Sequence, residues 1–227
     1  MRVLGLSDWN EMVLFWLRSE GKSLNFSAPD RERLIEKPDL KNQADNTERS
    51  DLLRNALRRS AIIDRLGGPA SSMSVKWVEV ERADLPNLYI VPTPHWYLNT
   101  GGNFRLSSVE ANLKPGRKIR TGFLAEDIEA YQRVERLRKQ LVGYGAATTD
   151  EIIVMIATSD TGPYVIIDGT HRAAALYLND LHAPNIPWKG LLITDPAVAN
   201  SAWNINSPAV QSVMNTWKSW AAMGALI

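Results

Sequence analysis

Tyr164-Val165-Ile166-Ile167-Asp168-Gly169-Thr170-His171-Arg172-Ala173-Ala174-Ala175-Leu176-Tyr177-Leu178-Asn179-Asp180-Leu181 reads as a buried strand that passes through a polar elbow straight into a helix. Val165 to Ile167 are β-branched, as a strand buried on both faces requires, whereas Ala173 to Leu178 are helix-forming with apolar residues at helical spacing. Only five residues, Asp168 to Arg172, separate the two patterns, with the turn itself at Asp168, Gly169 and Thr170. Gly169 supplies the backbone freedom of a sharp turn, and Thr170 or Asp168 can cap the first amides of the helix. Those amides and the positive end of the helix dipole form an anion site, to which His171 and Arg172 add two donors suited to phosphate. Taken alone, the same residues also describe an ordinary strand-to-helix turn with an N-cap and two surface cations.

Around the elbow the chain falls into three parts: a helical N-terminal segment over 1–73, a central unit over 74–195 and a helical, Trp-rich tail over 196–227. In the first, Ser7 or Asp8 caps a helix running through Arg18, with Glu11 placed as in a capping box. Pro29 and Pro38 punctuate a polar connection. A second helix is expected from near Thr47 to Gly67-Gly68-Pro69, with Leu53, Ala56, Leu57, Ile63 and Leu66 apolar. Its arginines, Arg49, Arg54, Arg58, Arg59 and Arg65, are expected to face mostly outward and pair with Glu48, Asp51 and Asp64, although such a set could also grip phosphates or an acidic partner.

The central part alternates strand and helix signals. Val75 to Val80 alternates, Leu88 to Val91 is a short apolar run stopped by Pro92, and Ile152 to Ala157 and Tyr164 to Ile167 flank the turn Ser159-Asp160-Thr161-Gly162-Pro163. Leu124, Ile128, Tyr131, Val134, Leu137 and Leu141 mark one face of a long helix, and Gly190 to Thr194 forms a last strand. This predicts an α+β fold with a small mixed sheet and the elbow at its centre. In the tail, Val210, Val213, Met214, Trp217 and Ala221 share a face of a helix opening at Pro208. With Trp203 and Trp220 they read as core or as a contact in a homodimer more readily than as a platform for a nucleotide base.

Length and charge narrow the classes. A chain of 227 residues buries a sizeable core. Its Lys+Arg 26 against Asp+Glu 25 give no global basic field for nucleic acid, leaving only local patches such as Arg117, Lys118 and Arg120. The absence of cysteine removes disulfides, thiolate metal sites and a cysteine nucleophile. Glu11, Arg18 and Glu20 interrupt the apolar residues near the N-terminus, so no signal peptide is read, and no stretch approaches a membrane span; the expectation is a soluble, cytoplasmic protein. Gly21-Lys22-Ser23 lacks the first glycine of a phosphate-binding loop, since Trp16 stands there. The three histidines, His95, His171 and His182, match no zinc spacing. Asn99 to Arg105 is either a glycine loop able to close over a ligand or a long hairpin turn.

The run Ile166-Ile167-Asp168-Gly169-Thr170-His171-Arg172-Ala173-Ala174-Ala175 resembles the signature of the ParB/sulfiredoxin-like superfamily, in which a strand leads to a Gly-x-His-Arg or Gly-x-x-Arg phosphate-binding loop and an Ala-rich helix. Leu88-Tyr89-Ile90-Val91-Pro92-Thr93-Pro94, followed by a helix and a two-strand turn, has the order of that fold, and the resemblance covers roughly residues 75–195. The sulfiredoxin chemistry is excluded by the missing cysteine, and the tail is too short and too rich in Trp for the helix-turn-helix domain of a partition protein. The branch of small-molecule kinases, such as the free serine kinases, fits best. The resemblance then implies that Gly169, Thr170, His171 and Arg172, with Arg105 nearby, hold the phosphates of ATP or ADP, with CTP as a further option, and that Asp168 orients His171 or holds Mg2+. The kinases carry a glutamate after the first Pro-containing strand; here the stretch reads Pro92-Thr93-Pro94-His95-Trp96, so His95 is the candidate base and Glu110 or Glu126 the substitute. The expectation is a nucleotide-dependent phosphotransferase acting on a small hydroxylated substrate. The alternatives are a nucleotide-sensing or DNA-associated binding protein and a ParB-like nuclease.

Overall fold

Two strands, apolar but for the closing Asp168, have no polar face to offer water: Ile153–Ala157 and Tyr164–Asp168 are buried along their whole length. In the computed structural model, which describes residues 1–20, 26–56, 73–115, 130–143, 153–180, 188–201 and 203–222, they belong to a mixed six-stranded sheet. The strands are β1 (Arg2–Ser7), β2 (Ser74–Val80), β3 (Leu88–Ile90), β4 (Ile153–Ala157), β5 (Tyr164–Asp168) and β6 (Trp188–Thr194), in the order β1-β2-β6-β4-β5-β3. The pairs β3/β5 and β4/β6 are parallel, and the other three neighbouring pairs are antiparallel.

The protein is thus α+β with a mixed sheet, as expected, but β5 lies one strand in from the edge and not at the centre. The N-terminal segment, expected to be helical, begins with β1, which pairs antiparallel with β2 and extends the sheet at the far end. Its side chains are mostly exposed, so it carries little of the apolar alternation that reveals a strand.

Helices cover both faces. On one lies α1 (Trp9–Glu20), whose start is fixed by Asp8 accepting from the Glu11 amide at 2.8 Å and by the Ser7 hydroxyl donating to Glu11 at 2.5 Å. Trp9, Met12, Val13, Trp16 and Leu17 repeat at helical spacing and pack on Val75, Val154, Ile156, Val165, Ile167, Leu191 and Ile193. Outside α1 come α2 (Ala28–Arg31), which continues as a wider π turn over Glu32–Glu36, and α3 (Gln43–Asp51), which continues the same way over Leu52–Ala56. The second helix therefore starts earlier than the Thr47 expected, because the Asn42 side chain caps the amides of Ala44 and Asp45. Its expected end at Gly67 lies outside the described residues, as do Arg58, Arg59 and Arg65.

Arg49 corrects the outward reading of the arginines: it is fully buried and donates to the carbonyls of Leu34 and Asp39 and to the Asn46 side chain, tying the 34–42 connection to α3. Burial pushes its pKa down, yet a guanidinium keeps its charge at any ordinary pH. Arg33 takes the exposed role instead, bridging Asp30, Asp45 and Glu48. Arg54 pairs with Asp51 as expected.

The opposite face is covered by α4 (Pro94–Asn99), α5 (Val109–Asn112), α6 (Ala130–Gly143), α7 (Thr170–Asp180) and α8 (Pro208–Ala222). Val134 and Leu141 of α6 are buried with Ala173 to Tyr177 of α7, and Arg138 donates to the Asn179 side chain at 3.1 Å, joining the two helices. Leu124 and Ile128, expected on the same helix, lie outside the described residues. On α8, Val210 and Trp217 are buried, whereas Val213 is exposed, contrary to the face expected for it. Trp217 meets Tyr97 and Phe104 edge-on, so it is core. Trp203 packs on the α1 side of the sheet, and the side chain of Trp220 lies outside the described residues.

Asn99 to Arg105 is neither an open lid nor a hairpin. It is a tight reversal with Asn99, Thr100 and Phe104 buried, Gly101 and Gly102 at positive φ, and the Thr100 hydroxyl accepting from the Phe104 amide at 3.1 Å. Among the described residues, no helix is long and apolar enough to cross a membrane.

Candidate functional site

The elbow owes its geometry to a break in the β4/β5 ladder. Ile156 pairs with Val165 and Met155 with Ile166, but the next residue, Val154, pairs with Asp168, which leaves Ile167 as an extra residue in β5. Regular alternation would send Asp168 to the side of Tyr164 and Ile166, under α6 and α7. The bulge turns it to the α1 side, with Ile167 and Val154. There the Ser19 hydroxyl, at the end of α1, donates to Asp168 Oδ2 at 2.9 Å and is also 3.0 Å from the Trp16 carbonyl.

Gly169 follows with φ +76°, a left-handed conformation that L side chains rarely adopt, and its carbonyl accepts the first helical bond, from the Ala173 amide at 2.8 Å. Gly169 therefore stands immediately before α7, with its carbonyl already in the helical ladder. The amides of Thr170, His171 and Arg172 stand before that first bond, in the turn where a helix presents its donors and the positive end of its dipole.

Arg172 folds back over the glycine. Its Nη2 donates to Asp168 Oδ2 at 3.2 Å, in a pair whose side chains are largely shielded from water. A Cβ on Gly169 would lie 3.2 Å from Arg172 Nε and Nη2 and from Ile153 Cγ2, so the guanidinium rests on the place where a side chain would stand. Asp168 thus engages Arg172 and Ser19, and the His171 ring packs against Trp96, at 5.1 Å between centroids and a tilt of 52°. Trp96 Nε1 also donates to the Thr170 hydroxyl at 3.2 Å.

Trp96 reaches the elbow because β3 runs parallel to β5. The Val91 amide bonds to the Ile166 carbonyl at 3.0 Å, and the chain then turns at Thr93, whose hydroxyl caps the Trp96 amide, into α4. The site therefore lies at the carboxyl ends of two parallel strands, where α/β sheets commonly bind ligands. His95 is in the same first turn of α4, next to Trp96; its side chain lies outside the described residues.

The other expected residues are placed as follows. Arg105 forms a bridge with Tyr89 at the outer edge of β3 and holds its guanidinium 5.5 Å from the centre of the Tyr89 ring, level with Val165 and not with Asp168. Glu110 is exposed on α5. Glu126, His182, Arg117, Lys118 and Arg120 lie outside the described residues, as does Gly21-Lys22-Ser23. For Mg2+ the elbow offers Asp168; among the described residues, no group of three or more His, Asp or Glu side chains is gathered that could hold a metal ion.

Ser19 and Trp96 are site residues that the sequence does not single out. Ser19 did carry a signal, since it stands three residues after Trp16 and so continues the stripe Trp9, Met12, Val13, Trp16 along the buried side of α1. Searches with family models, among curated proteins and among solved structures find no match for this chain.

Proposed function

We propose that the elbow binds the phosphates of a nucleotide and that the protein is an ATP- or ADP-dependent phosphotransferase acting on a small hydroxylated acceptor. One observation carries the reading: the N-terminal turn of an eleven-residue helix opens at the end of β5 on a left-handed glycine, with Arg172 lying across that glycine. Backbone amides can approach a phosphate closely only where no Cβ intervenes, and Arg172 adds a fork-shaped donor matched to phosphate oxygens. The resemblance of Asp168 to Arg172 to the ParB/sulfiredoxin-like loop points the same way, and within that superfamily the small-molecule kinases suit a cysteine-free chain of net charge +1.

In this reading the amides of Thr170 and His171 with Arg172 position the phosphates, the Trp96 ring packs against His171, and Asp168 keeps Arg172 in place. Mg2+ would neutralise charge on the phosphates, and with Asp168 as its protein ligand its remaining ligands would be phosphate and water oxygens. His95, one residue from Trp96, would take the proton of the acceptor hydroxyl as the new P–O bond forms and the bond to the nucleotide breaks.

A second reading, a nucleotide-sensing module without turnover, is favoured by the engagement of Asp168 with both Ser19 and Arg172, which suits a counter-ion better than a magnesium ligand. DNA association and a ParB-like nuclease belong to the same alternative class; CTP is a candidate ligand in either reading.

Thermal shift with ATP, ADP, CTP and GTP, with and without Mg2+, tests the common core. A nucleotide at a hundredfold excess over its dissociation constant adds about 2.7 kcal/mol of stability. We expect Arg172→Ala to abolish that shift, measured against the variant's own unliganded melting temperature, which falls because the buried Asp168 loses its cation. An undiminished shift in Arg172→Ala would remove the elbow from the site. Formation of ADP that depends on an added alcohol selects the kinase. Binding without turnover selects the sensor, and steep salt dependence of DNA affinity selects a DNA-associated role.

A further inference from the structure

We infer that Ser19 is a positioning residue for the phosphate grip, acting on Arg172 through Asp168; the inference rests on the phosphate reading of the elbow. Three observations meet here. The bulge at Ile167 turns Asp168 toward α1, against the alternation of the rest of β5. Ser19 Oγ then lies 2.9 Å from Asp168 Oδ2, across 149 residues of sequence. The same oxygen accepts from Arg172 Nη2 at 3.2 Å.

A carboxylate paired with a guanidinium can still rotate about its own side-chain torsions. A second donor on Asp168 Oδ2, delivered by a helix packed on the sheet, fixes the torsion and with it the plane of the guanidinium. Because the guanidinium lies over Gly169, small rotations of Asp168 move the donors that would face a phosphate. The Trp16 carbonyl, 3.0 Å from the same hydroxyl, is the other acceptor for its single proton; the position of Ser19 is fixed by α1, whose buried stripe it follows. Ser19 touches no phosphate in this scheme; it acts by keeping the donor set in one arrangement.

The test uses inorganic tripolyphosphate, which carries phosphates without a base, and isothermal titration of wild type, Ser19→Ala, Ser19→Thr, Asp168→Asn, Ser19→Ala/Asp168→Asn and Arg172→Ala. Ser19→Ala should weaken binding by about tenfold, the scale of a hydrogen bond to a charged group, and Ser19→Thr should restore it because the hydroxyl returns. In the Asp168→Asn background, Ser19→Ala should cost nothing further, as two residues acting through one path are not additive. A residue of purely structural value would lower the melting temperature and leave this cycle additive. Binding by Ser19→Ala equal to wild type, alongside loss in Arg172→Ala, would overturn the role of Ser19 and leave the phosphate site standing. An equal loss from Ser19→Ala with and without Asp168→Asn would overturn the path through Asp168. Failure of Arg172→Ala to alter binding, or no binding by wild type, would overturn the phosphate reading and this inference together.

Discussion

Gly169 is the residue on which the elbow turns, and its φ of +76° makes it sensitive to the smallest change. Gly169→Ala forces a left-handed conformation on an L side chain and sets a Cβ 3.2 Å from Arg172 and Ile153. The backbone term alone is about 1–2 kcal/mol, so a urea titration should show a loss of at least that size together with weaker tripolyphosphate binding, because Arg172 must move. Two tyrosines, Tyr164 buried and Tyr97 partly buried, supply a pH signal at the same scale. Burial raises the pKa of Tyr164, with Asp84 and Asp160 adding to the effect, and its hydroxyl donates to the Asp160 carbonyl at 2.6 Å. Burial also raises the pKa of Tyr97. An unfolded tyrosine ionises near pH 10 while these two hold their protons. Their contribution is therefore complete below about pH 10 and lost as pH rises through the folded values. Urea midpoints measured from pH 8 to 11 should fall at the alkaline end, and Tyr164→Phe should fall less steeply.

At the scale of the element, α1 decides what Asp168 meets. Its apolar stripe is readable in the sequence because 3.6-residue periodicity needs no partner to be seen. Trp16 is fully buried in that stripe, one turn before Ser19. Trp16→Ala should cost about 3–5 kcal/mol through lost burial and the cavity left behind, read by chemical denaturation, and it should weaken tripolyphosphate binding as Ser19 loses its footing. The bulge in β5 is the other decisive element. Its sequence, Tyr164 to Asp168, is as apolar and β-branched as a regular strand until the last residue, and only pairing with β4 shows that Ile167 is extra.

The whole molecule is a sheet with helices on both faces and an edge, β1, that is unusually apolar. Val3, Leu4 and Leu6 are exposed, Leu6 to 80 %, while β1 bonds to β2 along its inner side. An irregularity between Val3 and Gly5 interrupts the register, a device that blunts an edge against further pairing. Leu6→Lys should leave the melting temperature almost unchanged, within about 0.5 kcal/mol of stability, and reduce light scattering at high salt and protein concentration. A large loss of stability would mean that Leu6 is packed against something in solution.

What the residues of the elbow could do was legible because the cues are local. A β-branched run, a glycine, a cap and an Ala-rich helix lie within 18 consecutive residues, and each reports on its own backbone. The strands β2 to β6 and the helices α1, α6, α7 and α8 declared themselves by periodicity for the same reason. The tertiary structure alone decided that β1 joins the sheet, that β5 lies next to its other edge, and that Arg49 is buried among carbonyls. It also decided that Asp168 faces α1, and that Trp96 and Ser19 close on the elbow from 74 and 149 residues away. These are properties of pairing between distant segments: a charge, a serine or a bulged residue looks the same in sequence whether it meets water or the one partner that holds it.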